Sequence, residues 1–389
     1  MEALLSQQDW PAHGHPVDEQ HHITEMPYRP YPPPHRPEAP LLYKARYNLP
    51  ADLDSIYFLN RGAGAMGSVR YELAPKDSEN ITIYVDMHYW SKAALGQVNM
   101  CVLHRGELHK GFGIFTPSSI SWPLFRGDRR AIKFDVVVRI PQSALISPLS
   151  GLASDLHDFS QFVDGLKHYW SNVNLTSTNG AIVVKSEARL QAANLTLHTT
   201  NARIEGSFFS DHVLKMTTTN APIVAEVGLS SQGYPTTTAN IRTNNARINA
   251  SFYLSGAYTD DETYPGSGGN FNINAWSWGG PIDLAIPIAP INYHLRLFSH
   301  TNNAANKARI FRTFEGLFRA STRNAQVKVS KEVTAGDDPQ REERHPTLEI
   351  SDRRKGFSHG KFFWGETYHS RASEFELMTD NGPVEITFI

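Results

Sequence analysis

Few residues in this 389-residue chain stand at spacings that could do chemistry. Hydrolysis of a glycosidic bond needs two carboxyl groups held across a groove at a defined separation. The nearest approach to such a pair is Asp260, Asp261 and Glu262 in a loop, with Asp283 on a strand. Adjacent Asp260 and Asp261 would point apart on an extended chain, and no histidine accompanies them in the repeat frame described below. Asp211-His212 is an isolated pair ahead of a strand and reads as a surface turn. Gly62-Ala63-Gly64-Ala65-Met66-Gly67 has the glycine density of a phosphate-cradling loop. No Lys-Ser/Thr follows it and no helical pattern begins, so a bend entering a strand is expected instead. His13, His15, His21, His22 and His35 could ligate a metal, but they lie in a Pro- and Gln-rich stretch with no preformed geometry. No catalytic residue, cofactor site or metal site is assigned.

Aromatic side chains offer a different chemistry. Trp276-Ser277-Trp278 and His88-Tyr89-Trp90 could stack on sugar rings. Trp276 and Trp278 fall on the outward side of their strand, where two indoles would form an apolar patch of the kind that marks interaction sites. Packing beneath the loop spanning residues 255–270 is the alternative for both.

The elements that position these residues follow from an internal repeat. Counted from a pivot residue, the chain is apolar at −6 and −4, Ser or Thr at −2, Ala or Gly at +1, Ile or Val at +3 and small or apolar at +5. The pivots are Asn179, Asn201, Asn220, Asn245, Gly279, Asn324 and Asn381. An eighth, Asn303, keeps the first half of the phrase and loses the second. Side chains alternate along a strand, so −6, −4 and −2 share one face, as in Val173, Leu175 and Ser177. The step from −2 to +3 is odd, so two turn residues must re-aim the chain and keep apolar groups inside. Asn and Gly are expected there because both tolerate left-handed backbone. One strand–turn–strand unit cannot bury its own apolar face, but stacked units share a continuous core. Amides at equivalent corners could then form a ladder. The expected fold is all-β and β-solenoid-like, with an antiparallel β-sandwich built on Asn-Gly and Asn-Ala turns as the alternative.

Around the repeats the chain divides into four parts. Residues 1–50 are a Pro/His-rich tail, including Tyr31-Pro32-Pro33-Pro34, and residues 51–141 alternate as a β-rich entry domain. Residues 142–170 are a linker in which Leu156, Phe159, Val163, Leu166 and Trp170 step by three or four, which predicts a capping helix. Residues 171–389 are the repeat domain, interrupted by loops at 255–270 and 331–356. The single cysteine, Cys101, excludes an intrachain disulfide, and its alternation with Val98, Met100 and Val102 predicts a buried thiol. A net charge of −2 gives no electrostatic case for nucleic acid or an anionic membrane. No run approaches the ~20 apolar residues of a membrane span, and no secretion signal is evident at Met1–Trp10. A cytoplasmic location is expected, with unconventional secretion or cell-surface association as the alternative.

The phrase in Thr178-Asn179-Gly180-Ala181-Ile182 and Thr200-Asn201-Ala202-Arg203-Ile204 resembles the repeats of a bacterial family of putative adhesins. The layout as a whole is similar to an uncharacterised fungal family of β-repeat proteins: a Pro-rich start, a strand ending Val138-Arg139-Ile140-Pro141, then the repeats. The resemblance implies a β-repeat architecture and brings no functional residue with it. The function expected from all of this is a non-enzymatic binding or scaffold protein with an unknown protein partner. The rival is a carbohydrate-binding or carbohydrate-active β-solenoid protein that uses Trp276, Trp278 and the acids nearby.

Overall fold

The computed structural model describes residues 40–89, 95–117, 132–143, 149–166, 168–185, 187–232, 235–257, 266–366 and 373–389. The five histidines of the tail, Trp90, Asp260, Asp261 and Glu262 lie outside these. The described residues form two compact units, one drawn from residues 40–149 and 153–159 and the other from 150–152 and 160–389.

The first unit is built from β1 (Leu41–Leu49), β2 (Ser55–Arg61), β3 (Ala65–Leu73), β4 (Ile81–Tyr89), β5 (Asn99–His104), β6 (His109–Phe115) and β7 (Ile132–Ile140). β1 pairs antiparallel with β4, β4 antiparallel with β7, and β7 parallel with β3. A second set joins β2 parallel to β6 and β6 antiparallel to β5. Because β1 begins at Leu41, the tail reading does not extend to residue 50: Ala45, Tyr47 and Leu49 alternate inward and are buried. Cys101 packs with Tyr57, Leu59 and Leu103, and burial pushes its thiol pKa up. The glycine-rich run is a bend into β3. Gly62 has φ 102°, and a Cβ there would lie 1.8 Å from the Thr116 carbonyl oxygen, so no other residue fits.

The expected capping helix at 154–170 is not formed. Strands β8 (Gly151–Asp155), β9 (Phe159–Asp164) and β10 (Tyr169–Thr176) occupy this stretch, with a turn at His157–Asp158 and Gly165 at φ 67° between them. Leu156, Phe159, Val163, Leu166 and Trp170 are all buried, but the turns produce their three-to-four spacing.

In the second unit the strands continue as β11 (Ile182–Val184), β12 (Leu190–His198), β13 (Ile204–Ser210), β14 (Val213–Thr217), β15 (Ile223–Ser230), β16 (Thr237–Thr243), β17 (Ile248–Ser255), β18 (Asn270–Ser277) and β19 (Ile282–Ile288). They end with β20 (His294–Thr301), β21 (Asn306–Ile310), β22 (Gly316–Thr322), β23 (Val327–Lys331), β24 (Pro346–Arg354), β25 (Phe357–Trp364), β26 (Glu374–Thr379) and β27 (Val384–Phe388). The repeats stack in parallel and in register, which excludes the antiparallel sandwich for them. Strands before the corner align Val173, Leu195, Leu214, Ala239, Ile273, Leu297, Phe375 and Phe318 in one row. Strands after it align Ile182, Ile204, Ile223, Ile248, Ile282, Asn306, Val384 and Val327. Each buried Ile in that row stabilises the fold by about 1.5–3 kcal/mol relative to exposure.

The order of layers is not the order of the sequence. β26 lies between β20 and β22, and β27 lies between β21 and β23. The charged stretch at 331–356 is only partly a surface loop. Its end forms β24, which pairs antiparallel with β25, and β25 pairs antiparallel with β22. Within it Asp338 is nearly covered by Arg344, at 2.8 Å, and by the backbone N–H groups of Gln340, Glu342 and Arg344. Burial alone would raise this carboxyl, but the hydrogen bonds outweigh it and hold the pKa at about 2.

At the corners, the Asn201 amide donates to Asn179, Asn220 to Asn201, and Asn245 to Asn220, each at 2.7 Å. The ladder stops at Gly279 and resumes where Asn381 donates to Asn303 at 2.7 Å and Asn324 to Asn381 at 2.6 Å. None of these pivots has positive φ; the non-glycine residues that do, among those described, are Asn292, Arg341 and Glu343. Left-handed backbone is therefore not why Asn recurs: the side-chain amide, both donor and acceptor, spans the gap between layers. Beneath it runs a hydroxyl ladder. Thr243, Ser277, Thr301, Thr379 and Thr322 each donate to the carbonyl of the residue after the pivot one layer back, at 2.9–3.3 Å. Asn303 lacks the second half of the phrase, yet a strand, β21, still follows it in register. Asn306 stands where Ile is usual, fully buried, with its amide bonded to Ser299 Oγ, Ser299 O and Met378 O at 2.7–2.9 Å.

Candidate functional site

Alternation along β16, β18 and β20 decides what the repeat stack shows to solvent. Ile241, Ile273 and Leu297 point inward, so their neighbours point out. Parallel register then sets Arg242, Trp276 and His300 side by side on three successive layers, with Asn240, Asn274 and Phe298 in the adjoining row. Trp278 follows at the corner, two residues beyond Trp276.

The Arg242 guanidinium carbon lies 4.3 Å from the Trp276 ring centroid, close enough for a cation–π contact that half-buries the indole. Trp276 and Trp278 have ring centroids 6.2 Å apart, tilted by 47°. Phe298 and His300 repeat this one layer on, at 6.3 Å and 55°. Trp278 keeps 53% of its surface exposed, the most of any large hydrophobic residue described. The amide of Asn274 donates to Asn240 at 3.1 Å and to Asn272 at 3.3 Å, which fixes a polar border. The layer carrying both tryptophans is also the one whose pivot is Gly279, so no corner side chain stands beside Trp278.

This arrangement, made of Arg242, Trp276, Trp278, Phe298 and His300, holds no carboxylate. It offers one open indole face, two half-buried aromatic rings, a guanidinium and an imidazole on a sheet surface. The loop expected to cover the tryptophans starts beyond Ser255, and its residues 258–265 are not among those described. Phe298 and His300 were not expected in the cluster. The signal for them was the weak eighth repeat: at −5 and −3 from Asn303 they occupy the frame positions of Asn274 and Trp276.

The other candidates stay apart. Asp283 lies half-buried on β19 between Asn249 and Lys307, so neither neighbouring layer sets a second acid beside it. Asp211 and His212 share a 2.7 Å contact in the turn between β13 and β14. In the first unit, a depression of about 320 Å³ is lined by Arg46, Thr82, Tyr84 and Arg139, among others. Its guanidiniums are engaged: both lie over Tyr84, and Arg139 is bonded to Glu72 at 2.8 Å. Among the described residues, no group of three His, Cys, Asp or Glu side chains converges as a metal site requires, and no helix is long and apolar enough to cross a membrane.

Residues 193–389 match the family model of a domain of unknown function (DUF7330). No curated protein matches the chain. Similar solved structures include a putative adhesin from Bacteroides fragilis NCTC 9343, 9% identical, with a TM-score of 0.25 over 90% of this chain and 97% of that one. Another is a putative adhesin from Parabacteroides merdae ATCC 43184, 10% identical, TM-score 0.26, over 89% and 95%. A third is a putative cell adhesion protein from Clostridium sporogenes ATCC 15579, 7% identical, TM-score 0.19, over 90% and 100%. Likenesses this loose carry no argument about what the chain does.

Proposed function

This chain belongs to the DUF7330 family, and we propose that it is a non-enzymatic binding protein whose recognition surface is the aromatic face at Trp276, Trp278, Phe298, His300 and Arg242. The supporting observation is the exposed Trp278 beside a guanidinium-backed Trp276, with Phe298 and His300 on the next layer. Trp and Arg are the residues most enriched at energetic centres of protein interfaces. A sheet face, unlike a cleft, suits a macromolecular partner rather than a small ligand. A second reading, in which a glycan is the ligand, is favoured by the open indole face bordered by the amides of Asn240, Asn272 and Asn274.

Affinity capture and a glycan array, each run with wild type and with Trp276→Ala/Trp278→Ala, test both. Loss of a defined protein partner in the double variant, with its melting temperature held, supports the first reading. Loss of a glycan signal supports the second. Binding that is indifferent to both tryptophans sinks the site.

A further inference from the structure

The layer built by β26 and β27 differs from all others in how it is held. Its neighbours, β20 with β21 on one side and β22 with β23 on the other, precede it in sequence, and among the described residues each pairs with it and not with the other. Without it, each side would present two parallel strand edges with unpaired backbone groups.

The charged outward side chains of this layer are acidic, and basic side chains meet them from the neighbouring layers. Glu374 meets Arg296 at 3.4 Å, and Glu376 meets Arg319 at 3.3 Å. Asp380 meets Arg323 at 3.2 Å. Glu385 is held from both sides, by Lys307 at 3.2 Å and Lys328 at 2.9 Å, and these lysines pull its pKa down. Exposed pairs of this kind add little stability, but they select a partner strand and its register.

The inward side chains complete a cluster that cannot close alone. Phe375 lies 5.2 Å from Phe314 and 6.0 Å from Phe318; Phe388 stacks on Phe362 at 4.3 Å with the rings 8° from parallel. Buried polar groups are also satisfied across the gap. Ser373 Oγ donates to Tyr293 O at 3.0 Å, and Thr322 Oγ1 donates to Gly382 O at 2.9 Å.

We propose that the space between these layers is a strand-acceptor slot, and that residues 373–389 of a second copy of this chain can fill it in place of the chain's own, joining two copies by reciprocal exchange. The same backbone ladders, ion pairs and phenylalanine contacts form in either arrangement, so exchange between copies costs only the association itself. At low concentration the tethered segment wins, because its effective concentration is high. The exchanged dimer is therefore favoured by refolding at high protein concentration.

Two full-chain charge variants test this. One carries Glu374→Arg, Glu376→Arg and Glu385→Lys; the other carries Arg296→Glu, Arg319→Glu, Lys307→Glu and Lys328→Glu. Each places like charges within its own slot, yet the segment of each matches the slot of the other. Co-refolded at equal concentration, they are expected to give a one-to-one dimer by light scattering that neither forms alone. A mixture that stays monomeric, or that stays unfolded, overturns the proposal. Independently, wild-type chain is refolded from urea with a labelled synthetic peptide of residues 373–389. That peptide should be retained about tenfold better than one carrying Glu374→Lys, Glu376→Lys and Glu385→Lys. Equal retention of both peptides, or of neither, overturns it too.

Discussion

Substituting Gly279→Asn should stabilise the protein, and the structure gives the size of the effect. Gly279 does not have positive φ, and a Cβ there would meet the Asn244 carbonyl oxygen at 3.7 Å and Asn245 Cα at 3.9 Å, ordinary contact distances. The backbone already accepts a side chain. Replacing glycine in a compatible conformation removes unfolded-state freedom worth about 0.4–1 kcal/mol. The new amide would donate to Asn245 and accept from Asn303, joining the two halves of the ladder in the direction all its other members share. At solvent-exposed corners each such bond is worth about 0.5 kcal/mol, the lower end of the usual range. The total is about 1.5–2 kcal/mol. With about 2.1 cal/mol/K of unfolding entropy per residue over the roughly 230 residues of Ser160–Ile389, this raises the melting temperature by about 3–4 °C. Scanning calorimetry of wild type, Gly279→Ala and Gly279→Asn separates the two contributions. Ala reports the backbone part alone, so Asn must exceed Ala by about 2 °C. If Asn melts no higher than Ala, the amide ladder contributes nothing and the explanation for recurrent Asn fails.

Gly382→Ala should act in the opposite direction. Its Cβ would sit 1.9 Å from the Ala304 carbonyl oxygen, so the layers must separate, at a cost of about 1–3 kcal/mol seen as a lower urea midpoint. Gly336→Ala, whose nearest atom would be 3.9 Å away, is the control and should not lower the midpoint. Asp338 should confer acid sensitivity. Its carboxyl pKa in the folded protein, about 2, lies below the unfolded value, so its contribution is complete above about pH 4 and is lost as pH falls through about 2. A urea midpoint followed from pH 6 to pH 2 should fall less steeply in Asp338→Asn, which starts from a lower value; parallel curves would refute the assignment.

Much of the architecture was legible because a strand has a strict period of two. That period separated Val173, Leu175 and Ser177 from their outward neighbours, and one corner phrase repeated on successive units required stacking. The helix assigned to 154–170 shows where periodicity misleads. Buried residues interrupted by turns at His157–Asp158 and Gly165 fall into a three-to-four rhythm with no helix present. At the corners, backbone tolerance and side-chain laddering favour the same residue, and only φ separates the two: the ladder is formed and the left-handed backbone is not.

What the sequence determined by itself is the content of each layer: which side chains face in, where the chain bends, and that Trp276 and Trp278 face out. The order of the layers, and with it the neighbours of each outward residue, was decided by tertiary structure. Nothing local to residues 374–388 places them between β20 and β22. That position follows from acids meeting bases and from Phe375 and Phe388 meeting Phe314, Phe318 and Phe362 across long stretches of chain. Pairing energies of that kind belong to two strands at once, so neither strand's sequence contains them.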